Sequence, residues 1–221
     1  MILWVAWLFF NGGSTLSLQT PRANSSPKII LNTLLAAAVA GLVTAWFKPI
    51  ITRKYSQGQR FFVNDVCNGI LVGCVGITGA CDQVENWAAF IIGVFSALFY
   101  TAGAVFLEKL NIDDPVEATA VHAFGGIWGL ISVGTFSNLS GIIYVNPNRG
   151  YFFGLQIAGI VCITCFTTAI CVPYLLICKW CGVIRQPLSL ELVGHDIAES
   201  GGLHKGLYRK MRLELYSDQL V

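Results

Sequence analysis

One histidine lies inside an apolar, glycine-rich run, AVHAFGGIWG, residues 120–129. A neutral imidazole both donates and accepts a hydrogen bond, and a titratable ring among apolar neighbours is costly unless something needs it. His122 is therefore the first candidate for chemistry: holding a polar substrate or passing a proton. Ala118, Gly126 and Gly129 share its face at helical spacing, with Gly125 beside them. Small residues mark helix–helix contact rather than a lipid face, so the ring is expected to point into protein or a cavity. A histidine that merely bonds a neighbouring helix is the plain alternative.

Upstream, in NIDDPVEATAVH, Asp113 and Asp114 precede Pro115. Proline suits a first helical turn, and acidic groups there complement the positive helix end. Asp114 and Glu117 are read as structural, capping residues, Glu117 being the deeper of the two. The stretch FFNGGST, residues 9–15, follows Trp7 and offers Phe9, Phe10 and the Ser14 hydroxyl. Aromatic faces with a hydroxyl can hold a small cation, although Phe and Trp also populate membrane interfaces. In VNDVCNGILVG, Asn64, Asp65 and Asn68 cluster ahead of a Gly69–Gly73 pair spaced for close helix packing. Cys162, Cys165, Cys178 and Cys181 have zinc-ribbon spacing. They fall on one apolar helix, however, where the two pairs stand roughly 24 Å apart at 1.5 Å per residue. No metal, cofactor or enzymatic centre is therefore expected, and an intramembrane metalloenzyme is a remote third reading.

These groups need elements to position them. Of the 221 residues 55% are hydrophobic and 12% charged, against about 25% charged in soluble domains. The fold class is all-α, a polytopic membrane protein, because lipid tolerates only helices or closed barrels. Six apolar segments are expected to cross: 1–18, which is short, then 29–47, 61–79, 87–107, 118–136 and 152–178. A polar tail occupies 179–221. No charged leader precedes the first run, and a net charge of +2 does not suggest nucleic acid. Lys and Arg total eleven on one alternate side and three on the other, which places the tail in the cytoplasm and runs the first helix outward. Sequons at Asn24 and Asn138 fall on the outer side. In the tail, Leu203, Leu207, Met211 and Leu215 form a stripe suited to a surface helix, and His195 and His204 are read as solvated or packing residues.

Five stretches in order carry a resemblance: FFNGGST, NGILVGCVGITGACDQVENWAAFIIG, DDPVEATAVHAFGGIWG, GLQIAGI and GHDIAESGG. Together they resemble the ammonium transporter family, which includes methylammonium permeases and Rhesus glycoproteins, and VHAFGGIWG and HDIAESG are similar to its ammonium-transporter branch. The resemblance implies an eleven-helix protomer in a plasma-membrane homotrimer, one pore per protomer, with two inverted five-helix repeats. This chain matches the second repeat plus the last helix, a C-terminal fragment lacking the first repeat. His122 then matches the second of two pore histidines, Phe10 one of two stacked phenylalanines of an outer gate, Ser14 the external ammonium-recruiting serine, and Trp7 a pore-lining tryptophan. The tail motif matches one that couples neighbouring protomers, with His195 a departure from it.

The activity so implied is conduction: ammonium binds outside, loses a proton, and ammonia passes along a hydrophobic lumen lined by imidazole. The partners are ammonium or ammonia, the lipid bilayer and other copies of the chain. The rival readings are an ammonium sensor and a Rhesus-like ammonia gas channel.

Overall fold

The computed structural model describes residues 2–15, 25–52 and 62–184, and among them all regular structure is helical. Six helices follow in order: α1 (Ile2–Gly13), α2 (Ser26–Ile51), α3 (Val63–Thr78), α4 (Asn86–Lys109), α5 (Gly125–Phe136) and α6 (Arg149–Trp180). A π-helical turn, Ala120–Phe124, runs directly into α5. Each expected apolar segment is a helix, with displaced ends. Helix α1 closes at Gly13 instead of Leu18. Helix α2 is longer at both ends: Pro27 is accommodated in its first turn, where the missing N–H has no helical partner to lose, and Pro49 comes only in its last. Helices α2, α4 and α6 are long and apolar enough to cross a membrane; α1, α3 and the run Ala120–Phe136 are apolar but shorter. The tail motif and stripe, His195, His204 and Asn24 lie outside the described residues.

The chain divides into two compact units, Met1–Ile163 and Thr164–Val221. In the first, α2 packs against both α3 and α4. Small residues make that approach possible. A Cβ on Gly73 would stand 2.6 Å from the Ala36 carbonyl oxygen and 2.7 Å from the Ala37 Cα, and one on Gly93 would stand 2.6 Å from the same oxygen. Two helices thus rest on one turn of α2, from opposite partners, with backbone against backbone. Trp128 of α5 stacks on Phe95 and Phe99 of α4, each at 5.1 Å, and donates its indole N–H to the Ile92 carbonyl at 3.0 Å.

Several buried polar side chains of this unit donate internally. Thr33, Ser96 and Thr101 donate to carbonyls one turn back in their own helices, at 2.8 Å each. The Asn32 amide, fully buried, donates at 3.0 Å to the Cys81 and Val84 carbonyls beyond the end of α3.

Of α6, no residue is buried. Cys162, Cys165 and Cys178 follow one another along it, with Cys181 just past its end. They cannot converge on one ion.

Gly73→Ala should lower stability by about 1–3 kcal/mol, the cost of overpacking a tight contact. Gly154→Ala on α6 is the control, since nothing lies within 4 Å of its would-be Cβ. The thermal midpoints of the two purified variants check this; equal midpoints would refute the backbone-contact account.

Candidate functional site

His122 is the middle residue of the π-helical turn Ala120–Phe124. Such i→i+5 turns are rare and are frequent at functional sites. Either side of the turn is well fixed. Ala120 and Val121 are buried, Phe124 packs edge-on against Phe106 of α4 at 6.0 Å, and a Cβ on Gly125 would meet the Val72 side chain of α3 at 2.7 Å. His122 itself is exposed. The small residues around it are packed only in part. Of the residues thought to share that face, Ala118 is exposed and Gly126 has open space where a Cβ would stand, whereas Gly129 does pack on Gly76. The buried stripe runs through Val121, Gly125, Trp128, Gly129 and Ser132, one position away from the ring. Those buried positions themselves recur at regular helical spacing.

The acidic residues before the turn divide their roles. Asp114 Oδ2 accepts from the backbone N–H groups of Thr119, at 2.9 Å, and Ala120, at 3.3 Å, which is capping. Glu117 does not cap. Its backbone is left-handed, φ 56°, and its carboxylate is held from three helices. Lys48 Nζ of α2 donates to both its oxygens, at 2.5 and 2.7 Å, Asn68 Nδ2 of α3 donates at 3.2 Å, and the Tyr100 hydroxyl of α4 donates to Oε2. Lys48 also donates to Asp65 Oδ1 and to the Tyr100 oxygen, at 2.8 Å each. Asn64, Asp65 and Asn68, recognised in the sequence as a cluster, line with Lys48 and Glu117 a cavity of about 570 Å³. Asn68 and Glu117 thus have partners. The partner that sequence reasoning missed is Lys48, which it counted only as a loop cation. Its side chain is 6% exposed.

Residues Trp7 and Phe10 of α1 come together with Ser14 in the turn just beyond it. The Trp7 and Phe10 rings meet edge to face at 6.1 Å, and Ser14 Oγ donates to the Phe10 carbonyl at 2.7 Å. The Trp7 indole N–H is anchored on Thr78 Oγ1 of α3 at 2.8 Å, while Phe10 and Ser14 are exposed. His122 belongs to a separate helix, with α3 in contact with both α1 and α5.

The chain matches the Ammonium Transporter Family model over residues 1–204. It is 36% identical over 211 residues to Ammonium transporter Amt2 of Archaeoglobus fulgidus, covering 90% of this chain and 42% of that one. To Ammonium transporter 1 member 1 of Arabidopsis thaliana it is 32% identical over 221 residues, covering 91% and 43%. Among solved structures, one described as Sensor Amt Protein superposes with a TM-score of 0.75 at 32% identity, covering 89% of this chain and 46% of that one. The chain belongs to the ammonium transporter family.

It spans less than half the length of those relatives. The match and the apolar helices make this ammonium transporter family member a multi-pass membrane protein, and its relatives are named as transporters rather than enzymes.

A further charged cluster ties the segments around α4 of this family member. Lys28, in the first turn of α2, donates to Glu85 Oε1 at 2.8 Å, and Asn138 Nδ2 donates to the same oxygen at 2.7 Å. The hydrogen bonds from Lys28 and Asn138 hold the Glu85 carboxyl below the usual range, though it is solvent-accessible. The amide nitrogen of the Asn138 sequon is thus engaged in the folded protein.

Because the folded Glu85 is more acidic than the unfolded one, its contribution is fully present above the ordinary carboxylate value, about 4.3. It is lost as pH falls through the lower folded value. Side-chain amide exchange at Asn138 should therefore be constant from about pH 7 to 5 once corrected for intrinsic rates, and rise only below the ordinary carboxylate range. Loosening already at pH 6 would exclude Glu85 as its cause.

Proposed function

We propose that this protein conducts ammonium across the plasma membrane along a hydrophobic path that His122 lines. The observation that carries the reading is the exposed imidazole in an apolar helical run, on a π turn whose Ala120 and Val121 are buried. Intramembrane ionisable groups are rare and face cavities or partners. Desolvating an ammonium ion in an apolar path is costly. The step that avoids it is loss of a proton at the outer mouth, after which neutral ammonia travels and the imidazoles supply its hydrogen bonds. A second histidine opposite His122 would let a proton pass between two rings that each donate and accept. In this reading the wall opposite His122 is built by chain beyond residues 1–221, in a protomer that is one of three. The tail is cytoplasmic and contacts neighbouring protomers.

The α1 cluster fits the outer mouth. Ser14 directs its proton to the Phe10 carbonyl, which leaves its oxygen lone pairs free for a cation. Phe10, 61% exposed, supplies an aromatic face to the same place and acts as half of a gate, with Trp7 lining the path behind it. In the protein as its gene encodes it, Ser14→Ala should weaken ammonium recruitment by about 0.5–1.5 kcal/mol, one hydrogen bond. Phe10→Ala should alter rate more than affinity. Affinity and rate unchanged in both variants would remove α1 from the path.

The decisive test is His122. We expect His122→Leu to insert and fold but to lose ammonium-evoked current, and His122→Glu, still titratable, to keep some current with altered ion selectivity. Normal current and selectivity from well-folded His122→Leu would overturn the reading.

A second reading, ammonium sensing, is favoured by the likeness to the structure described as Sensor Amt Protein. It predicts an ammonium-dependent signal through the tail from a protein that transports poorly.

A further inference from the structure

We infer that Lys48 is a positioning residue for His122: by pinning Glu117 in a left-handed backbone, it fixes where the π turn carrying the ring begins. The inference rests on the reading of His122 as a path-lining group.

Three observations lead to it. The first is strain. A non-glycine residue at φ 56° is strained and persists only where its surroundings over-determine it. Glu117 has no glycine's freedom, and its side chain is what is held. Lys48, Asn68 and Tyr100 reach its carboxylate from α2, α3 and α4, and Asn68 also donates to the neighbouring Val116 carbonyl at 3.2 Å.

The second is continuity. The Glu117 carbonyl accepts from the Val121 N–H at 2.9 Å, while Asp114 holds the N–H groups of Thr119 and Ala120. The backbone from Glu117 to Val121 is therefore tied at its start, and His122 is the next residue. Shifting Glu117 shifts the ring's point of attachment.

The third is that Lys48 is committed. An ammonium has three N–H donors, and those of Lys48 go to Asp65, Tyr100 and Glu117. At 6% side-chain exposure it is not a surface cation, and the proposed transport steps give it no task of their own. Among its partners only Glu117 adjoins the π turn.

The test uses the protein as its gene encodes it, reconstituted in liposomes. Inserted protein, ammonium-evoked current per inserted copy and ammonium-over-potassium selectivity are read for Lys48→Met/Glu117→Gln, Glu117→Gln and His122→Leu. The double variant avoids stranding the Glu117 charge, and Glu117→Gln keeps the shape while weakening the tether. We expect both to insert, with the double variant losing about tenfold or more in current per copy, as a small misplacement near a reacting group can. Selectivity should fall in both. A structural role alone would lower inserted protein and leave current per copy and selectivity at their parent values; that result, or failure of both variants to insert, overturns the inference. If His122→Leu loses current while the other two conduct normally, only the positioning inference falls. If His122→Leu conducts normally, the reading of His122 falls and takes the inference with it.

Discussion

A lysine ammonium buried between helices must find its solvation in protein, because unpaired charge in an apolar medium is prohibitive. Lys48 meets that demand with a carboxylate from α3, a phenol from α4 and a second carboxylate from the segment before the π turn. The demand can be met only if α2, α3 and α4 approach closely, and they do so through glycine. Gly73 of α3 and Gly93 of α4 rest on the same Ala36 carbonyl. A side chain at either position would drive its helix off α2 and stretch the 2.8 Å contacts of the lysine. A buried ion pair adds little net stability over an apolar replacement, while loss of one partner is severe. Glycine packing and the ion cluster therefore stand or fall together.

Against that background the exposure of His122 carries weight. Outside the Lys48 cluster, several polar groups of α2 and α4 bond to backbone. Short ones, such as Thr33 and Ser96, return their hydrogen bond to their own helix, and the longer Asn32 reaches the backbone beyond α3. His122 sits on a helix equally apolar, yet its ring lies on the open side while Val121 and Gly125 beside it are packed. An exposed polar ring in an apolar helical run is suited to a polar visitor.

How much of this was legible in the sequence differs by residue. Hydropathy located all six helices, since twenty-residue apolar runs have few alternatives in lipid, and the Gly69–Gly73 pair marked the contact with α2. The DDP sequence announced the Asp114 cap. The helix through His122 was legible, but nothing in AVHAF distinguishes a π turn from an α turn. Lys48 was missed for another reason. It stands next to Pro49 at the end of an apolar run, where a topology-setting cation also stands, and its partner Glu117 is 69 residues away. A usable signal was present all the same: Asp65 and Glu117 were acids beside apolar helices with no nearby cation assigned to them.

The π turn is where two separate demands on the chain meet. Downstream, the register is set by Gly125 against Val72 and by Trp128 on α4. Upstream, it is set by Glu117 on Lys48 and by Asp114 on the first free N–H groups. Each α-helical residue turns the chain by about 100°, so an uninterrupted helix would give one fixed angle between those anchors. A π turn takes up one extra residue and changes that angle, and the left-handed Glu117 changes it again. The distortion falls on the five residues that hold His122. The ring's direction is thus set by the mismatch between two packed ends, and among the described residues neither imidazole nitrogen is hydrogen-bonded.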